Sequence, residues 1–185
     1  MTFLTEKIFF DSDCVSAFLW VEEQSLLGLL YPGRIVIPDA VYRELSNPTV
    51  RQLRERIDKM LAMHFARLEH IDLRTEEYGL YQKMITGQLP DHPMIGKGEA
   101  SCLALAKVKG GVVASNNLRD IAAYIEEYQL EHITTGDIMV EAYEKGYITE
   151  DQGNSMWKEM LQKGRKIGAR SFSEYLKKQR DKTPV

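Results

Sequence analysis

Residues 112–123 read VVASNNLRDIAA. A β-rich apolar run stops at Ser115, two neutral amides follow, and from Leu118 onward the apolar residues recur at helical spacing. The same order of strand, polar turn and helix appears in KIFFDSDCVSAFL (7–19) and in RIVIPDAVYREL (34–45). RLEHIDL (67–73) and LEHITT (130–135) are two weaker strands, each followed by a helical pattern. Near-continuous apolar strands that alternate with helices predict an α/β chain, its parallel sheet covered by helices on both faces.

The rest of the chain fits around that repeat. Ser12 or Asp13 can cap a helix running through Leu30, Asn47-Pro48 ends a short helix after the second strand, and residues 50–66 carry a further helical pattern. Pro90, Pro93, Gly96 and Gly98 enforce a loop before a helix over 98–109, and Gly146 closes a helix that starts near Asp137. The sequence divides at about residue 148. Residues 149–185 form a helical extension with capping boxes at Thr149-x-x-Gln152 and Ser171-x-x-Glu174. Between 151 and 185 the net charge is +5, against −8 for the preceding 150 residues. An acidic body with a basic tail is compatible with a polyanionic partner.

The 185 residues, 44% of them hydrophobic, suffice for a buried core. The N-terminus lacks the long apolar stretch and small-residue cleavage site of a secretory signal, and no run approaches the roughly 20 apolar residues of a membrane span. Cys14 and Cys102 lie in apolar sequence with no second Cys or His at ligand spacing, which disfavours zinc and fits a reducing, cytoplasmic setting.

In an open parallel sheet, ligands sit beyond the C-terminal strand ends. That rule selects Asp11 and Asp13 after the first strand, Glu44 in the helix after the second, Glu99 behind the glycine loop, and Asn116, Asn117 and Asp120 after VVAS. Acids brought within about 4–6 Å of each other raise one another's pKa. A hard divalent cation, Mg²⁺ or Mn²⁺, removes that penalty and supports phosphate chemistry.

Four segments then resemble the PIN domain, a metal-dependent ribonuclease fold common among the VapC-like toxins of toxin–antitoxin pairs: IFFDSDCVSAFL, IPDAVYREL, IGKGEASCLALA and VVASNNLRDIA. They occur in the family's order over roughly residues 7–145. The resemblance implies a Rossmann-like, three-layer α/β/α fold with a five-stranded parallel sheet over residues 1–148, and hydrolysis of RNA phosphodiesters with Mg²⁺ or Mn²⁺. It further implies a homodimer and an antitoxin protein as partner. Asp11, Glu44 and Glu99 match the family's first three acids. Where the commonest pattern has Thr-Asp-Asp, this chain has Ser115-Asn116-Asn117; SNNLRD follows a variant in which the acid at Asp120 completes the set. Asn116 is then a further oxygen ligand, while Asp13, Ser115, Asn117, Lys97 and Arg119 support the site or face substrate.

One other enzymatic outcome and two non-enzymatic ones compete with this expectation. FFDSD also fits the hydrophobic strand-Asp-x-Asp of haloacid-dehalogenase-like phosphatases, but no lysine lies between Ser115 and Asp137 to complete that constellation. A degenerate PIN protein would bind nucleic acid or a protein without cleaving. A pure interaction module would use the apolar stripes at Phe18, Leu19, Leu26, Leu27, Leu29 and Leu30, or at Met156, Trp157, Met160 and Leu161, for which core packing is the simpler use.

Overall fold

The computed structural model describes residues 6–182. Five strands, β1 (Ile8–Phe10), β2 (Ile35–Pro38), β3 (Ala66–Glu69), β4 (Val112–Ala114) and β5 (Glu131–Ile133), form one all-parallel sheet in the order β3-β2-β1-β4-β5. The helices are α1 (Ser12–Trp20), α2 (Gln24–Leu30), α3 (Asp39–Leu45), α4 (Arg51–Ala62), α5 (Glu76–Thr86), α6 (Lys97–Lys109), α7 (Leu118–Tyr128), α8 (Thr135–Glu144), α9 (Glu150–Gln162) and α10 (Phe172–Lys182). This is the three-layer α/β/α arrangement expected of a PIN-like fold. The apolar runs IFF, IVIP and VVA are the three inner strands, and every residue in them is buried. The polar sequences of β3 and β5 fit their places at the sheet edges.

The chain builds β1, β2 and β3 outward in one direction, then returns to place β4 on the other side of β1. Strand order therefore reverses between β1 and β4. A crevice opens at such a switch point, and the loops after β1 and β4 form its walls.

The apolar pattern from Cys14 to Leu30 reads as one helix, yet the structure breaks it. Glu22 takes a left-handed φ of 61°, and Arg56 of α4 donates from Nη1 to the carbonyls of Leu19 (2.6 Å) and Trp20 (3.1 Å). Carbonyls at the end of α1 thus gain a partner from outside the helix, which stabilises termination where periodicity alone would continue. Of the apolar stripe residues, Phe18, Leu19, Leu26, Leu27 and Leu30 are buried, and Leu29 is exposed.

The C-terminal helices share the same hydrophobic core. Trp157 is fully buried; its Nε1 donates to the Ala169 carbonyl at 3.0 Å, and its ring meets Phe172 and Tyr175 at centroid distances of 6.0 and 5.3 Å. A Cβ on Gly136 of α8 or Gly153 of α9 would collide with Tyr175 or Phe172, so these two glycines admit α10. Truncating Trp157→Ala should cost about 3–5 kcal/mol in urea unfolding, as expected for a large cavity plus a lost indole partner. A loss below 1 kcal/mol would mean that the extension is only loosely docked.

Candidate active site

Asp11 follows β1 and caps α1. Its Oδ1 accepts from the Ser12 N–H at 2.7 Å and its Oδ2 from the Ser115 hydroxyl at 3.1 Å, and the residue is only 3% exposed. Asp13, in the first turn of α1, accepts at both carboxylate oxygens from the Asn116 N–H, at 3.1 and 3.2 Å. The first and fourth strand loops are thereby joined across the switch point.

Glu44 and Glu99 enter from the other side. Glu44, near the end of α3, accepts at Oε1 from the Gly98 N–H in the first turn of α6, at 3.1 Å. Glu99 reaches back to the Gly96 N–H with Oε2 at 3.0 Å, and its Oε1 accepts from Asn117 Nδ2. The same Asn117 nitrogen donates to Asp120 Oδ2 at 2.7 Å. Asn117 thus bridges two carboxylates, and Asp120 in the first turn of α7 faces the cluster. Gly98 sets how closely the other pair can approach: a Cβ placed there would lie 3.0 Å from Asp11 Oδ1 and from both carboxylate oxygens of Glu44. Oxygens of Asp11 and Glu44 therefore sit within twice that distance of each other.

Asp11, Asp13, Glu44, Glu99 and Asp120 line one cavity of about 690 Å³ with Ser12, Asn116, Asn117 and Arg119. Burial, reinforced by the charges of Asp13, Glu99 and Glu44, pushes the Asp11 carboxyl well above the usual carboxylate range. Glu99 is raised as well, mainly by burial and further by Asp120 and Asp13, against the lowering effect of the Asn117 amide and Gly96 N–H. Burial raises Asp13, opposed by the N–H groups of Asn116 and Cys14 and by Arg165. This is a site built of hard oxygen donors that resist being ionised together.

Several residues sit differently from the expectation. The Asn116 amide is engaged with Thr135 at both ends, its Oδ1 accepting from the Thr135 N–H and its Nδ2 donating to Oγ1, each at 2.9 Å. It braces the β4 loop against α8 and so is occupied elsewhere than as a metal ligand. Lys97 is exposed and lines an adjoining cavity on the far side of Glu44. The basic extension supplies residues that sequence reasoning left outside the site, since Gly164, Arg165 and Lys166 between α9 and α10 line the acidic cavity. Arg165 Nη1 donates to Ser16 Oγ at 3.2 Å, which holds the guanidinium beside Asp13. The charge asymmetry of the tail is visible in the sequence, but its position depends on packing around Trp157.

A family model described as a PIN domain matches residues 7–181. The chain belongs to the PIN-domain family. Comparison with curated proteins finds no match. PIN domains are in general nucleases, and the acidic crevice of this one lies at the switch point between β1 and β4. The match of this PIN family runs through α9 and nearly to the end of α10, helices that pack into the same core as the sheet. Among the described residues, no helix is long and apolar enough to cross a membrane.

Whether the PIN cavity suits a divalent ion can be judged from its donors. Among the described residues, no three His, Cys, Asp or Glu side chains are placed so that they could together hold a metal ion as they stand. The donors present are carboxylates around an open cavity, with Asp11 buried among like charges. That set suits Mg²⁺ or Mn²⁺, which take oxygen ligands and keep several waters, and does not suit a cation that needs a dry, complete shell.

Proposed function

We propose that this PIN protein is a Mg²⁺- or Mn²⁺-dependent endoribonuclease that hydrolyses RNA phosphodiesters in the cytoplasm as the toxin of a toxin–antitoxin pair, working as a homodimer. The observation that carries the nuclease reading is the inward orientation of Asp120, joined through Asn117 to Glu99. It brings a fourth carboxylate to Asp11, Glu44 and Glu99 and favours a catalytic site over a merely binding one. The toxin role, antitoxin partner and dimer follow from the family resemblance.

Asp11, Glu44, Glu99 and Asp120 are the residues that would hold the ion. When bound, Mg²⁺ or Mn²⁺ supplies Lewis-acid polarisation of the phosphate and a bound water of lowered pKa. The chain's own groups do the rest. Ser115 and the Ser12 N–H fix the rotamer of Asp11, and Asn117 keeps Glu99 and Asp120 side by side. Five carboxylates would repel RNA, so Arg119, Arg165 and Lys166 on the cavity wall attract the strand's phosphates. In this reading residues 149–185 act as part of the nuclease and supply one wall of its cleft.

Cleavage of end-labelled single-stranded RNAs with Mg²⁺ or Mn²⁺ tests the proposal. Wild type should cut, while excess chelator, Asp11→Asn and Glu99→Gln should each reduce the rate at least 100-fold. Activity that survives both substitutions or the chelator would sink the metal-nuclease reading. RNA retained without cutting under every metal condition would point to the binding-only alternative.

A further inference from the structure

Beside the acidic cleft, on the other face of Glu44, lies a second cavity of about 460 Å³. This is within the roughly 300–1,000 Å³ usual for small-molecule sites. Its apolar wall includes Ile71, Tyr78 and Tyr81, and its polar side carries Arg43 and Lys97 together with the carboxylates of Asp39 and Glu44. Tyr78 and Tyr81 are three residues apart on α5 and so project from one face of the helix. Their rings lie 6.5 Å apart between centroids with planes inclined by 34°. Both are half-buried, and neither hydroxyl has a hydrogen-bond partner among the described residues. Lys97 opens α6, is exposed, and makes no ion pair with any described residue. Arg43 pairs with Asp39, and its side chain is 77% exposed.

We propose that this cavity is a nucleobase subsite, in which a base of the RNA strand next to the scissile phosphate stacks on Tyr78 and Tyr81 while Lys97 and Arg43 take its backbone phosphates. The inference rests on the ribonuclease reading and names where that substrate extends. Three features select a nucleobase as occupant. Glu44 lines both cavities, so a strand lying in the cleft continues directly into this one. Aromatic faces beside cations, here the unpaired Lys97 and the largely exposed Arg43, are the combination that holds single-stranded nucleic acid, the rings taking bases of any sequence and the cations tracking the phosphates. The unpartnered tyrosine hydroxyls also offer hydrogen bonds at a base edge without displacing any partner within the chain.

The test uses the full-length protein and a fluorescein-labelled single-stranded RNA that the wild type cleaves. Binding is measured in chelator, and KM and kcat are measured with Mn²⁺. The Tyr78→Ala/Tyr81→Ala pair should weaken binding about ten-fold and raise KM similarly, with the smaller effect on kcat. Tyr78→Phe/Tyr81→Phe keeps the stacking faces and should stay within about three-fold of wild type. Lys97→Ala, at an exposed position that does not threaten folding, should reduce the salt dependence of binding by about 0.7 in the logarithmic slope, the share of one phosphate contact on a single strand. Binding, KM and slope all equal to wild type in the alanine variants would overturn the subsite while leaving the nuclease reading intact. Phenylalanine variants as defective as the alanine ones would overturn the stacking role. A wild type that neither binds nor cuts RNA would overturn both readings.

Discussion

Asp11→Asn is expected to stabilise the chelated protein while abolishing its cleavage of RNA. The carboxylate is 3% exposed, and its neighbours across the cleft are Asp13, Glu44 and Glu99. Its partners, the Ser12 N–H and the Ser115 hydroxyl, are neutral donors. Burial and like charge therefore hold its folded pKa above the unfolded value, so the ionised form costs stability. The sign of the pH effect follows. The folded state binds this proton more tightly than the unfolded chain, so stability falls as pH rises through the window between the unfolded pKa and the raised folded one. An amide of the same shape removes the cost and keeps an oxygen for the Ser12 N–H, while Ser115 can reverse its hydroxyl to accept. In chelator at neutral pH, the variant should melt about 3 °C or more above wild type, corresponding to roughly 1 kcal/mol for a chain of this size. Its stability should also vary less between pH 5 and 7. Saturating Mn²⁺ should reverse the order, since an ion at 100 times its Kd adds about 2.7 kcal/mol to wild type and less to a variant missing one ligand. Thermal melts in chelator and in Mn²⁺ check both halves. A variant that melts below wild type in chelator would show that the surroundings of Asp11 favour its charge, contrary to the geometry.

That trade between stability and site charge was legible in the sequence only in outline. IFF, IVIP and VVA announce buried parallel strands through their own residues, and the topological rule then points to Asp11, Glu99 and Asp120. What escaped depends on partners distant along the chain. Asn116 and Asn117 are adjacent and chemically identical, yet one braces Thr135 and the other bridges Glu99 to Asp120. Which does which is decided by the approach of the β5–α8 turn, about 20 residues later. Lys97 and Glu99 are two residues apart, which on a helix sends them to nearly opposite sides, one toward the second cavity and one into the cleft. The break after Trp20 requires Arg56, and the arrival of Arg165 at the cleft requires the packing of Trp157 against Phe172 and Tyr175. Local propensity contains none of these contacts.

Gly98→Ala should separate helix stability from the chemistry of the site more sharply than any substitution of an acid. Gly98 lies in the first turn of α6 and does not have a positive φ, so its backbone would accept alanine without strain. Helix propensity alone favours the change by up to about 1 kcal/mol. The reason for glycine is instead across the cleft, where the added Cβ would stand 3.0 Å from Asp11 Oδ1 and from both oxygens of Glu44. Either these carboxylates move apart by a few tenths of an ångström or α6 shifts away and stretches the 3.1 Å bond from the Gly98 N–H to Glu44. Both responses spread the donors that converge on the ion and the phosphate, and a misplacement approaching 1 Å costs about 100-fold in rate. Mn²⁺-dependent cleavage should therefore fall between about ten- and 100-fold, with a melting temperature equal to or above that of wild type. Gly79→Ala is the matched control: it lies within α5, and a Cβ there would meet nothing within 4 Å, so it should gain stability and keep its activity. Equal rates for Gly98→Ala and wild type would mean that Asp11 and Glu44 need not approach through this glycine, and that the metal is held by the Glu99–Asp120 side of the cleft alone.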